Sequence, residues 1–166
     1  MATRLASAGE LAGLTEPEIM ALAAAMSSVG IEAEAGGTAM TQTLAAIEKA
    51  VIAGGEDIEQ FARVADISAA EFAQTWKNEP VQALSAFIAG LGELDEQGES
   101  ATIVLDGMGL TGIRQSNMLK SLALSAGNMT QAIELANREW MENTALAEEA
   151  GTRYATTESK IQMFQN

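Results

Sequence analysis

The chain contains no cysteine and no histidine. Without cysteine there is no disulfide framework, and cysteine usage does not reveal the redox compartment. Without histidine the chain lacks the usual general base near neutral pH and the commonest metal ligand. Proline occurs only at Pro17 and Pro80, and aromatic residues make up 4% of the sequence. No apolar run reaches the ~18 residues of a membrane span, and Met1–Gly9 lacks the apolar core of a secretory leader. Basic residues are scarce too. There are 9 Lys and Arg against 23 Asp and Glu, a net charge of −14. The imbalance is even, with 12 acids and 4 bases in residues 1–83 and 11 and 5 in residues 84–166. Such a surface repels phosphate backbones, whose binding needs clustered Lys and Arg, and the anionic face of a membrane. Direct nucleic-acid binding is not expected.

What is present is alanine within a 48% hydrophobic composition. Alanine forms helices well because it loses no side-chain entropy and hides no polar group. The composition favours helices packed closely through small side chains. The length suits one domain, or one domain with an extension.

Helix punctuation can be followed along the chain. Thr15-Glu16-Pro17-Glu18 is a capping box, followed by Ile19, Leu22, Ala23 and Met26 on one helical face. Gly30 suits the left-handed stop of that helix. Gly36-Gly37 loosens the next start, and Met40, Leu44, Ile47 and Val51 make a second stripe, ended by Gly54-Gly55. Ile58, Phe61, Ala62 and Ala65 form the inward face of a short helix. Ser68-Ala69-Ala70-Glu71 opens another, carrying Phe72 and Trp76. Asn78 and Pro80 stop it and start its neighbour, whose buried face is Val81, Leu84, Phe87, Ile88 and Leu91. Gly92 to Gly98 reads as an acidic loop. Ile103-Val104-Leu105 is β-branched but has no partner run, so a short helix is expected. Gly107, Gly109 and Gly112 punctuate the next stretch, and Ile113 to Ala126 resumes the helical pattern. Gly127 closes it, and Asn128 caps a last helix. There Ile133, Trp140, Ala147, Tyr154 and Ile161 recur every seven residues, with Ala136, Asn143, Ala150, Thr157 and Phe164 at the companion positions. This is a heptad diluted by small and polar residues. Trp140, Tyr154 and Ile161 are its candidate self-association residues.

Candidate chemistry fares less well. Glu56-Asp57, Asp95-Glu96 and Glu148-Glu149 are adjacent carboxylates that point apart on a helix, whereas acid/base pairs must face each other. Glu93 to Gly98 has the flavour of a calcium loop, yet its twelfth position is Val104, where a bidentate Glu is required. Gly107 to Gly112 fits neither the dinucleotide fingerprint nor a P-loop. Met26 and Met40, at helical spacing, read as core. No catalytic, cofactor or metal site is expected. One stretch stands out, because no acid lies between Asp106 and Glu134 while Arg114 and Lys120 do. It reads first as a core helix needing few charges, and second as a candidate docking face for an acidic partner.

The block Ala25-Met26-Ser27-Ser28-Val29-Gly30-Ile31-Glu32-Ala33-Glu34-Ala35-Gly36-Gly37-Thr38-Ala39-Met40 closely resembles the core region of phage tail tape measure proteins. Phe61 to Ala65, Ser68 to Ala73, Trp76 to Pro80, Phe87 to Leu91 and Thr156 to Lys160 look like the same family, and the likeness covers about residues 8–166. One departure is Asp66, where relatives often carry glycine. The resemblance implies a mostly helical protein in the lumen of a growing tail, whose length sets tail length and which leaves through the tube at infection. It implies the tail tube protein, tail assembly chaperones and tail-tip proteins as partners, the virion tail as location and the host cytoplasm during assembly. It carries over no catalytic residue.

The expected fold is all-α. A compact node of short helices should cover residues 10–127, and a long C-terminal helix with coiled-coil-like heptads residues 128–166, partly packed and partly projecting. Two rival classes remain, a helical peptidoglycan hydrolase working through two carboxylates and a generic acidic helical interaction module.

Overall fold

The computed structural model describes residues 2–94 and 97–165, with side chains described at 5–94 and 97–145. Among the described residues the chain is all-helical: α1 (Ala2–Leu11), α2 (Glu16–Ser28), α3 (Ala33–Ala53), α4 (Gly55–Val64), α5 (Ala69–Asn78), α6 (Pro80–Glu93), α7 (Ala101–Gly107), α8 (Ile113–Ala123) and α9 (Ala126–Gln165).

Four of these helices end in the same way. At Gly13, Gly30, Asp66 and Gly109 the backbone turns left-handed, with φ of 84°, 75°, 56° and 75°. The next amide then bonds back across the turn: Leu14 N to Gly9 O, Ile31 N to Met26 O, Ile67 N to Ala62 O and Leu110 N to Leu105 O, at 2.8–3.0 Å. This is the Schellman closure, which satisfies carbonyls the helix leaves orphaned. In each case a Leu or Ile follows the left-handed residue and turns toward the core. Thr15, Glu32 and Ser68 then stand at the N-cap positions of the following helices. At the first of these caps Glu18 Oε2 accepts from Thr15 N at 2.8 Å. At the third, Ser68 Oγ accepts from Glu71 N at 3.2 Å. A short code of left-handed residue, apolar residue and cap thus makes the corners at Gly13, Gly30 and Asp66, while after Gly109 and Leu110 the cap position falls one residue later, at Gly112.

The apolar stripes expected from spacing are buried, including Met26 and Met40, with Val51 half-buried at the end of its stripe. Phe61 stands where α4, α5 and α6 meet. Its ring centroid lies 6.1 Å from Phe72 and 5.0 Å from Phe87. Gly90 allows α6 to close on α4, because a methyl group there would lie 1.7 Å from the Val64 carbonyl oxygen. The Trp76 indole N–H donates to Glu48, tying α5 to α3. α9 packs on α2 and α6 and brings Met129 and Ile133 into the core.

Several local expectations are corrected. Gly36 and Gly37 lie buried inside α3 and not ahead of it, since α3 starts at Ala33 with Gly36 N bonded to Glu32 O at 2.8 Å. Gly92 belongs to the last turn of α6. α8 stops at Ala123, and α9 starts at Ala126, so Gly127 and Asn128 sit in its first turn and Asn128 is not its cap. The amides of Asn128 and Met129 instead bond to Ser125 O. Residues 2–8, with no expected helical stripe, open α1 and contribute the buried Leu5. Ile103-Val104-Leu105, by contrast, is helical as expected, in α7.

Candidate functional site

Three surfaces combine a shape or charge with exposed side chains. The first is an apolar groove of about 500 Å³ between α1 and α3. Ala8, Leu11 and Ala12 form one wall and Leu44, Ala45 and Ile52 the other, with Glu48 and Lys49 at the polar edge. Leu11 and Ile52 are large apolar groups left in water there. Small alanines on both helices leave the recess open, so its shape follows directly from composition.

The second is a recess of about 570 Å³ among α2, α6 and α9, edged by Glu18, Glu79 and Glu134. Glu18 is the buried carboxylate of this recess. Its Oε2 takes the Thr15 amide and its Oε1 accepts from Asn137 Nδ2 at 3.3 Å. With both oxygens engaged, Glu18 is a strut between the start of α2 and the flank of α9. A second buried polar contact joins α8 to α3. Gln115 Nε2 donates to Thr43 Oγ1 at 3.1 Å, and Thr43 Oγ1 donates to Ala39 O at 3.0 Å. Sequence reading singled out neither Gln115 nor Thr43, since their signal is only a polar residue at a helical core position. Their bonds fix the register of α8 on α3.

The third is the outer face of α8. The core reading holds for its inner face, where Met118, Leu119 and Leu122 are buried beside Gln115 and Ser116. Arg114 is exposed, and Lys120 is half-buried with Nζ donating to Thr102 Oγ1 at 3.2 Å. Neither has a carboxylate partner among the described residues. Ile113 and Leu124, at the two ends of this face, are 80% and 87% exposed.

On α9, Trp140 is half-exposed and lies one heptad beyond the buried Ile133, where the helix passes the start of α2. The side chains of Tyr154 and Ile161 lie outside the described residues, as do Asp95 and Glu96. Among the described residues no three Asp or Glu side chains gather in a way that could hold a metal ion. No helix of the described residues is long and apolar enough to cross a membrane. No protein-family model, curated protein or solved structure matches the chain.

Proposed function

We propose that this chain is a folded structural segment of a phage or prophage tail tape measure protein, acting in tail assembly and tail-length determination inside the tail tube. What carries the reading is the resembling block of residues 25–40. It spans the end of α2, the left-handed turn at Gly30 and the start of α3, so it is also where the path of the chain is set. The role is structural in this reading, and Glu18, held on both oxygens by Thr15 and Asn137, serves it as a strut between α2 and α9.

In this reading the helices up to α8 form a node that binds other tail components, and α9 leads into an extended part of the parent protein. Tail tube protein, assembly chaperones and tail-tip proteins are its partners, in the host cytoplasm and then in the tail lumen. Removing part of the extended helical region of the parent should shorten tails by up to ~1.5 Å per residue, the rise of an α-helix. Removing residues 15–127 should instead abort assembly. Electron microscopy of particles from both deletions tests this. Intact tails shortened by the full helical increment after the second deletion would refute the node.

The heptad of α9 adds weak self-association to this role. Burying one large apolar side chain is worth ~1.5–3 kcal/mol, while Asn143, Thr157 and the acidity of the chain oppose pairing. Sedimentation should show a mass that rises with concentration, and that rises less when Tyr154 and Ile161 are both changed to Ser. A second reading, a generic acidic helical interaction module, is favoured by the exposed Ile113 and Leu124 on α8. Tail-tube and tail-tip genes beside its own would decide for the tail.

A further inference from the structure

The outer faces of α8 and α9 carry matching patterns of opposite charge. Along α8, Ile113, Asn117, Lys120 and Leu124 follow at i, i+4, i+7 and i+11, the spacing of a single helix face, with Arg114 alongside. Along α9, Leu135, Glu139 and Glu142 repeat the first three steps and are exposed. The α8 series reads the same in both directions. In either orientation of two such helices, Leu135 falls against Ile113 or Leu124 and a carboxylate falls against Lys120.

We propose that the outer face of α8 docks the outer face of α9 from a second copy of this chain. The α8 face lies in residues 107–133, the longest stretch of the chain without a carboxylate, and the facing segment of α9 is acidic. The α9 of the same copy cannot reach this face. Only a two-residue turn separates the two helices, and α9 is committed to α2 and α6. Two different surfaces meet, so the contact is heterologous and propagates into open head-to-tail chains instead of closing as a dimer. The inference does not depend on the tail assignment, and it differs from pairing through the heptad of α9, which uses another face.

The experiment is sedimentation of the full chain at low salt. The parent should give a mass that climbs past the dimer with concentration. R114E/K120E should need at least tenfold more protein to reach the same mass. E139K/E142K should weaken association equally, although it lowers the net negative charge, and relief of general repulsion alone would make it associate more. Mixing the two variants should restore the parent's behaviour, because each then offers the other a complementary face. Replacing the exposed Ile113 and Leu124 by Ser should also weaken the chains, through loss of their apolar contacts, and spares the Lys120–Thr102 contact. A strictly monomeric parent at millimolar concentration, an R114E/K120E variant that assembles like the parent, or a mixture that fails to recover would each overturn the proposal.

Discussion

Replacing Gly90 by alanine should be among the most damaging single-methyl changes in the chain. The added carbon would sit 1.7 Å from the Val64 carbonyl oxygen and 2.7 Å from its carbon. A carbon–oxygen contact ordinarily needs ~3.3 Å, so α4 and α6 would have to part by about 1.6 Å. The obstacle is backbone, at the last residue of α4, just before the left-handed turn at Asp66 that fixes the corner. It cannot swing aside as a side chain would. Parting the helices also opens the contact between Phe61 and Phe87, with centroids 5.0 Å apart. Overpacking costs ~1–3 kcal/mol and sometimes more, and the ring pair contributes ~0.5–1.5 kcal/mol beyond its area. The helix gains back ~1 kcal/mol from alanine. The net expectation is a loss of about 2 kcal/mol, or a fall in Tm of roughly 4–8 °C for a chain of this size. Gly127→Ala is the control, since nothing lies within 4 Å of a methyl group there and it lies in the first turn of α9. It should stabilise by up to ~1 kcal/mol. Urea and thermal unfolding followed by circular dichroism give both numbers. A Gly90→Ala variant as stable as its parent would refute the close approach of α4 and α6.

Asp66→Gly should raise stability by ~0.5–1 kcal/mol in urea unfolding, because it relieves a left-handed residue with a side chain and removes a carboxylate from the negative end of α4; a loss would contradict the turn. Thr43→Val should cost ~1–3 kcal/mol by leaving the buried Gln115 amide without its acceptor. Adding Gln115→Leu should cost less than the sum of the two single changes, and additivity in that cycle would show that the pair is not coupled. Glu18→Ala should cost ~1–2 kcal/mol through the lost cap of α2 and should speed amide exchange in α9 around Asn137. Exchange faster only in α2 would mean that the strut to α9 does not hold.

The helices were legible because the signals that make them are local. Apolar spacing placed the inward faces of α2 to α6, and Gly30, Gly54-Gly55 and Pro80 placed their ends. Misreadings fall where packing overrides a local preference. Gly36 and Gly37 weaken a helix start, yet α3 runs through them because both are buried inside it. Gly127 looks like a stop, but the chain has already turned at Leu124 and Ser125, and the first turn of α9 tolerates glycine at a cost of at most ~1 kcal/mol. Asp66 is the converse case. Its corner has the pattern of the glycine corners at Gly13 and Gly30, apolar residue and cap included, and the left-handed turn forms without the glycine because the neighbours demand it. The pattern of a corner therefore says more than the residue at its centre.

The surfaces are harder to read, because a site here is a relation between helices and not a motif within one. Thr43 and Gln115 lie far apart in sequence and become a pair only when α8 settles on α3. The absence of acid between Asp106 and Glu134 was visible, but not which side of α8 would keep its cations. Once Met118, Leu119 and Leu122 turn inward, the helical period leaves Ile113, Asn117, Lys120 and Leu124 on the other side. Their charge acquires a direction only from that burial. The same holds for α9, where burial of Ile133 and the Asn137 contact with Glu18 orient the helix and turn Leu135, Glu139 and Glu142 outward. In a chain with a net charge of −14, burial of Met118, Leu119 and Leu122 is what sets Arg114 and Lys120 on the side of α8 away from the core.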